Sequence, residues 1–231
     1  MRLILFDIDG TLVDCGGQAR RAFADALLHV VGTTGGLETY DFSGKLDPRI
    51  VVDLLAGMGM SDERVTATLP QVREAYLERL ERSLLVERMR LLPGVAGLLR
   101  SLAGRDDVTL GLLTGNWERG ARIKLSRFDL NRYFSFGSFG DDAFDRHDLP
   151  PVALERAGNA AGRAFAAEET LIVGDSLLDI SCAQAHGIPC LAVATGRVPL
   201  GVLEAAGAAW ALADLEPALD HPAFAPARRP V

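Results

Sequence analysis

Two carboxylates stand two residues apart in Phe6-Asp7-Ile8-Asp9-Gly10-Thr11-Leu12-Val13-Asp14, directly after the apolar run Leu3-Ile4-Leu5-Phe6. The run reads as a short buried strand, with Gly10-Thr11 as its exit turn. Side chains alternate along a strand, so Asp7 and Asp9 leave its end on the same side. Two anions so close repel each other and lose hydration, on the order of several kcal/mol unless a cation or proton lies between them. An ordinary core does not place charges there. A carboxylate needs no deprotonation at neutral pH, so Asp7 could attack a phosphoryl group to form an acyl-phosphate. A second carboxyl beside it, Asp9, could protonate the leaving oxygen and later activate water.

Two further strand ends carry polar groups. Val108-Thr109-Leu110-Gly111-Leu112-Leu113 reads as a buried strand running into Thr114-Gly115-Asn116, with Asn116 as the N-cap of a helix from Trp117. A hydroxyl plus free backbone N–H groups at such a turn makes a phosphate cradle. Thr170-Leu171-Ile172-Val173 is followed by Gly174-Asp175-Ser176-Leu177-Leu178-Asp179. That spacing puts Asp175 at a strand end and Asp179 about one helical turn later on the same face.

In these three segments, Asp7-x-Asp9-x-Thr11, Thr114 and Gly174-Asp175-x-x-x-Asp179, the chain resembles the haloacid dehalogenase (HAD) superfamily of phosphohydrolases, and nearly along its whole length the phosphoglycolate phosphatase group within it. The resemblance implies that Asp7 is the nucleophile and Asp9 the general acid and base. It implies that Thr114, Gly115 and Asn116 bind the transferring phosphoryl group. It also implies Mg²⁺, held by Asp7, Asp175 and the backbone carbonyl of Asp9, with Asp179 a supporting partner outside the ion's own ligands. Hard oxygen donors suit that ion. The superfamily places a lysine after its third strand. This chain has two lysines, Lys45 and Lys124, and the expected region reads Gly140-Asp141-Asp142-Ala143-Phe144-Asp145-Arg146-His147-Asp148. Arg146 is the candidate substitute, with His147 second, because a guanidinium holds a phosphoryl group bidentately. Lys124 falls in the helix after Thr114 and reads as part of a solvated face.

The elements that position these residues alternate strand and helix, with one interruption. The pattern implies an α/β fold, a HAD-like Rossmannoid core with a parallel sheet flanked by helices, plus an inserted all-α cap. The expected division is 1–15 and 91–231 for the core and 16–90 for the cap, with helices over 18–31, 49–56, 61–68 and 72–88. Later strands are expected at 133–136, 191–194 and 208–212, and the tail from Pro217 as a loosely held end. In such sheets ligands bind outside the carboxyl ends of the strands. A cap excludes water from the intermediate and reads the substrate beyond its phosphate. Lys45 and Arg49, about one helical turn apart, could face an anionic leaving group there; a solvated helix start capped by Asp47 is the competing reading.

Within the superfamily, Asp9 argues against the dehalogenating and phosphonate-cleaving branches, because an alkoxide leaving group needs a proton and a halide does not. The expected function is Mg²⁺-dependent hydrolysis of a small phosphate monoester, phosphoglycolate-like or a sugar phosphate. A sugar-phosphate mutase of the same fold and a non-catalytic Mg²⁺-binding regulatory protein are the alternatives. Net charge is −7 with no basic cluster, which argues against nucleic acid as a partner. No apolar run approaches a membrane span, and three cysteines without metal-ligand spacing suit a reducing cytosol, so a cytoplasmic location is expected. The oligomeric state is left open.

Overall fold

The computed structural model describes residues 1–225. The chain runs β1 (Arg2–Phe6), β2 (Val13–Asp14), α1 (Gln18–Val31), α2 (Asp47–Gly57), α3 (Asp62–Ser83), β3 (Arg90–Leu91) and α4 (Val95–Ala103). It continues with β4 (Val108–Leu113), α5 (Glu118–Ser126), β5 (Gly137–Ser138), α6 (Leu149–Ala161) and β6 (Thr170–Gly174). The last elements are α7 (Leu177–Ala185), β7 (Cys190–Val193), α8 (Leu200–Ala205) and β8 (Trp210–Leu212).

Six strands form one sheet in the order β5-β4-β1-β6-β7-β8, and every neighbouring pair is parallel. Parallel strands are buried on both faces, which is why β1 and β6 are apolar along nearly their whole length. Alternation then splits each strand between two cores: Ile4 and Phe6 enter one, Leu3 and Leu5 the other. β1 lies at the centre, and the chain fills the sheet to one side of it through β4 and to the other through β6. The topological switch point therefore falls at the carboxyl end of β1.

Helices α1, α2 and α3 lie between β2 and β3, which pair antiparallel through Val13–Leu91 and Asp14–Arg90. The two chain crossings into and out of the helical segment thus run side by side. Phe23 of α1 packs on Tyr76 of α3 at 4.5 Å between ring centroids and stacks on Trp117 at 6.1 Å, tying the helices to the loop before α5.

Local pattern misplaced some boundaries. The two helices expected over 61–68 and 72–88 are the single helix α3, with Pro70 inside it. Proline removes one helical hydrogen bond, and burial of Val65, Val72, Tyr76, Leu77 and Leu80 along one stripe holds the helix through it. Residues 133–136 are not a strand: a 3₁₀ turn covers Leu130–Tyr133, and Phe134 is buried edge-on against Phe6 at 6.0 Å, so pairing starts only at Gly137. The tail is docked as far as Ala225, with Ala223 and Phe224 buried and Arg105 Nη1 donating to the Phe224 carbonyl at 2.7 Å. Residues 226–231 lie outside the described residues. Among the described residues no helix is long and apolar enough to cross a membrane.

Candidate active site

Asp7 follows the last residue of β1, its N–H donating to the Val173 carbonyl of β6 at 2.9 Å. The next turn is tight because Gly10 (φ +84°) is left-handed and a Cβ there would overlap the Asp175 carboxylate. Thr11 donates to Asp175 Oδ1 at 3.3 Å, and Thr195 donates to the Gly10 carbonyl at 2.5 Å. Gly196 also lacks room for a Cβ against Asp175. The loops after β1, β6 and β7 are packed around one carboxylate.

Arg146 lies in a short 3₁₀ turn before α6 and is buried. Its Nη2 donates to Asp179 Oδ1 at 2.6 Å, lies 3.3 Å from Asp7 Oδ2, and donates to the Leu113 carbonyl at 3.3 Å. Its Nη1 donates to the Gly44 carbonyl at 2.9 Å. Arg146 is therefore held inside the site by groups from four segments of the chain. His147, half-buried and paired with Asp145 at 2.7 Å, turns away from the site. Asp179 is fully buried, and its Oδ2 accepts from the Ser176 N–H at 3.0 Å and hydroxyl at 2.6 Å.

Carboxylate oxygens of Asp7, Asp175 and Asp179 come within 4.8 Å of one another. Burial pushes Asp7 up to about 6, Arg146 opposes that shift and Asp179 adds to it. Asp175 is pushed well above the usual range, first by burial and then by Asp7 and Asp179. Three buried carboxylates against one guanidinium leave excess negative charge that a hard divalent cation could balance, and every donor is oxygen. Asp7 and Asp175 have oxygens free of Arg146 for such an ion. Asp179 is already committed to Arg146 and Ser176.

Thr114 and Asn116 are buried at the end of β4. Asn116 does not cap α5. Its Nδ2 donates to Asp9 Oδ2 and Thr114 Oγ1, both at 2.8 Å, and α5 instead starts one residue later. The α5 cap comes from across the cavity, where Asp47 Oδ2 accepts from the Trp117 N–H at 3.0 Å. Asp47 is thus buried against the core and not a solvated cap of its own helix. Burial pushes its carboxyl up to about 7 against the pull of Lys124.

Lys124 is the residue that reading the sequence misplaced. It is buried, its Nζ lies 2.5 Å from Asp9 Oδ2, and it also donates to Asn116 Oδ1. Burial alone would lower its pKa, yet Asp9 above all holds it well above the usual lysine value. A signal was present: Trp117, Ala121 and Lys124 follow the i, i+4, i+7 spacing of an inward stripe.

A cavity of about 390 Å³ joins these groups, lined by Asp7, Asp9, Thr114, Asn116, Lys124, Arg146 and Asp175 and, from the helical segment, by Phe23, Phe42, Lys45 and Tyr76. Lys45 reaches the cavity, although its Nζ donates to the Tyr40 hydroxyl at 2.9 Å. Arg49 does not line it. Its Nε is paired with Asp53 at 2.8 Å one turn along α2, which draws it to the surface.

Residues 4–193 match the family model described as haloacid dehalogenase-like hydrolase. The chain belongs to that family. Among sequence relatives of this haloacid dehalogenase-like hydrolase is a phosphoglycolate phosphatase of Photorhabdus laumondii, 30% identical over 85% of this chain and 81% of the relative. Phosphoglycolate phosphatase 1 of Pseudomonas aeruginosa is 32% identical over 84% of this chain and 70% of its own length. A haloacid dehalogenase-like hydrolase from Bacteroides fragilis superposes with a TM-score of 0.71 at 19% identity, covering 94% of this chain and 99% of that one. The fold is the parallel HAD-like sheet expected, and these relatives place the chain among hydrolases of the phosphatase type.

Proposed function

We propose that the chain is a Mg²⁺-dependent phosphatase that hydrolyses a small phosphate monoester, phosphoglycolate or a compound close to it, through an aspartyl-phosphate on Asp7. The observation that carries this reading is the pairing of roles at the end of β1. Asp7 is buried beside Arg146, whereas Asp9 keeps two-fifths of its side chain open to the cavity. One carboxylate is held for attack and its neighbour for moving protons.

Mg²⁺ would be held by Asp7, Asp175 and the Asp9 carbonyl, and would neutralise charge on the phosphoryl oxygens. The chain's own groups do the rest. Arg146, 3.3 Å away, favours the ionised form of Asp7, whose oxygen attacks phosphorus in line. Arg146, the Thr114 hydroxyl and the backbone N–H groups of Gly115 and Asn116 hold the oxygens across which charge spreads in the transition state. Asp9 gives a proton to the departing alcohol, then takes one from the water that attacks phosphorus and frees Asp7. Segment 16–90 serves as the cap. Its loop at Gly44 to Asp47 sits on Arg146, Gly115 and Trp117, covering one side of the cavity. The cations Arg20, Lys45 and Arg197 also line the cavity, which suits a substrate with a second anionic group such as the carboxylate of phosphoglycolate.

Acid quench of a single turnover with 2-phosphoglycolate tests this reading. A phosphoryl group recovered on the peptide bearing Asp7, and lost in Asp7→Asn, supports it. Turnover without any phosphoenzyme would remove the aspartyl-phosphate route.

A further inference from the structure

Asp9 is gripped from one side. Its Oδ2 accepts from Lys124 at 2.5 Å and from Asn116 at 2.8 Å, and Lys124 and Asn116 are bonded to each other. Its Oδ1 has a single protein partner among the described residues, the Cys15 thiol at 3.6 Å, a long contact. The Lys124 side chain is only 4% exposed, whereas Asp9 is 42% exposed. Lys124 thus spends its charge inside the protein, on a carboxylate that opens to the cavity. Burying an ammonium group is costly before pairing, and a hydrophobic residue on this inward stripe of α5 would avoid that cost.

We propose that Lys124 is a positioning residue for Asp9, holding Oδ2 toward α5 so that Oδ1 alone faces the leaving oxygen. The proposal rests on the reading of Asp9 as the acid. In the first step the P–O bond to the alcohol breaks while the Asp9 proton passes to that oxygen, leaving Asp9 negative against Lys124. In the second step a proton of the attacking water returns to Oδ1 as the Asp7–phosphorus bond breaks. The Lys124 ammonium is already engaged by Asp9 and Asn116, so its effect depends on how badly the leaving group needs a proton. A basic alkoxide needs one and p-nitrophenolate does not.

The test compares wild-type, Lys124→Met and Lys124→Gln enzymes with Mg²⁺ on 2-phosphoglycolate and on p-nitrophenyl phosphate. Lys124→Gln keeps a neutral donor toward Asp9 and serves if the methionine variant does not fold. The expected result is a kcat loss of about 10²-fold on 2-phosphoglycolate and less than about 10-fold on p-nitrophenyl phosphate, with KM nearly unchanged. In an Asp9→Asn background, Lys124→Met should add little further loss. Equal losses on both esters, a rise in KM alone, or full additivity with Asp9→Asn overturns the proposal. A wild-type enzyme inert toward both esters overturns the phosphatase reading itself, and the proposal with it.

Discussion

Arg146 holds its Nη2 3.3 Å from Asp7 Oδ2 while donating to Asp179 at 2.6 Å, so one guanidinium spans the nucleophile and the carboxylate behind it. It also reaches the Gly44 carbonyl of the helical segment. A lysine offers one point charge where the arginine fork serves four partners, the carboxylates of Asp7 and Asp179 and the carbonyls of Leu113 and Gly44. Arg146→Met leaves buried carboxylates uncompensated, and a stability loss of about 3–5 kcal/mol is expected by urea unfolding. Arg146→Lys should recover most of that stability but raise KM for the phosphate ester, because the contact with Gly44 and the planar fork are lost.

Asp7→Asn should abolish phosphate release, since the amide is no nucleophile. Asp9→Asn should cut kcat by about 10²–10⁴-fold on an alkyl phosphate while leaving KM nearly unchanged, because general acid–base help is made only in the transition state. Near-normal activity of Asp7→Asn would refute the mechanism.

Gly115 has no room for a side chain, because a Cβ would overlap the Lys45 carbonyl. The close approach lets the Asp47 N–H donate to the Gly115 carbonyl at 2.7 Å. Gly115→Ala should push the cap loop off the β4 turn. Loss of at least about 10-fold in kcat/KM is expected, with a lower melting temperature, and unchanged kinetics would show that the seat is not needed.

Asp47 gives a pH dependence of known sign. Its folded pKa near 7 lies above the unfolded value, so the folded state binds the extra proton. That stabilisation is fully present below about pH 4 and is lost as pH rises through about 7. Asp47→Asn keeps an acceptor for the Trp117 N–H without ionising. The stability difference between wild type and Asp47→Asn should therefore shift against wild type by on the order of 1 kcal/mol per pH unit between about pH 5 and 7. A pH-independent difference would contradict it.

Much of the site could be read in advance because its residues sit where local signals are strongest. Asp7, Thr114 and Asp175 each end an apolar run, and a buried parallel strand announces itself by that run. What escaped depends on tertiary partners. Asp47 before a proline looks like a cap for its own helix, yet the N–H it serves belongs to Trp117, 70 residues away. Lys124 looks solvated until α5 is placed beside Asp9. Arg49 looked like a companion of Lys45 because helical spacing aligns them, but it is also one turn from Asp53, and that pairing holds it. Phe134 looked like part of a strand because apolar aromatics favour strands, and its burial against Phe6 delays pairing to Gly137.

The most direct measurement is phosphate release from 2-phosphoglycolate and a panel of small sugar phosphates, with Mg²⁺ and after its removal by chelation. Release that requires Mg²⁺, favours one carboxylated ester and disappears in Asp7→Asn is the expected result. No release from any compound, with Mg²⁺ shown to bind by a rise in melting temperature, would contradict the phosphatase account.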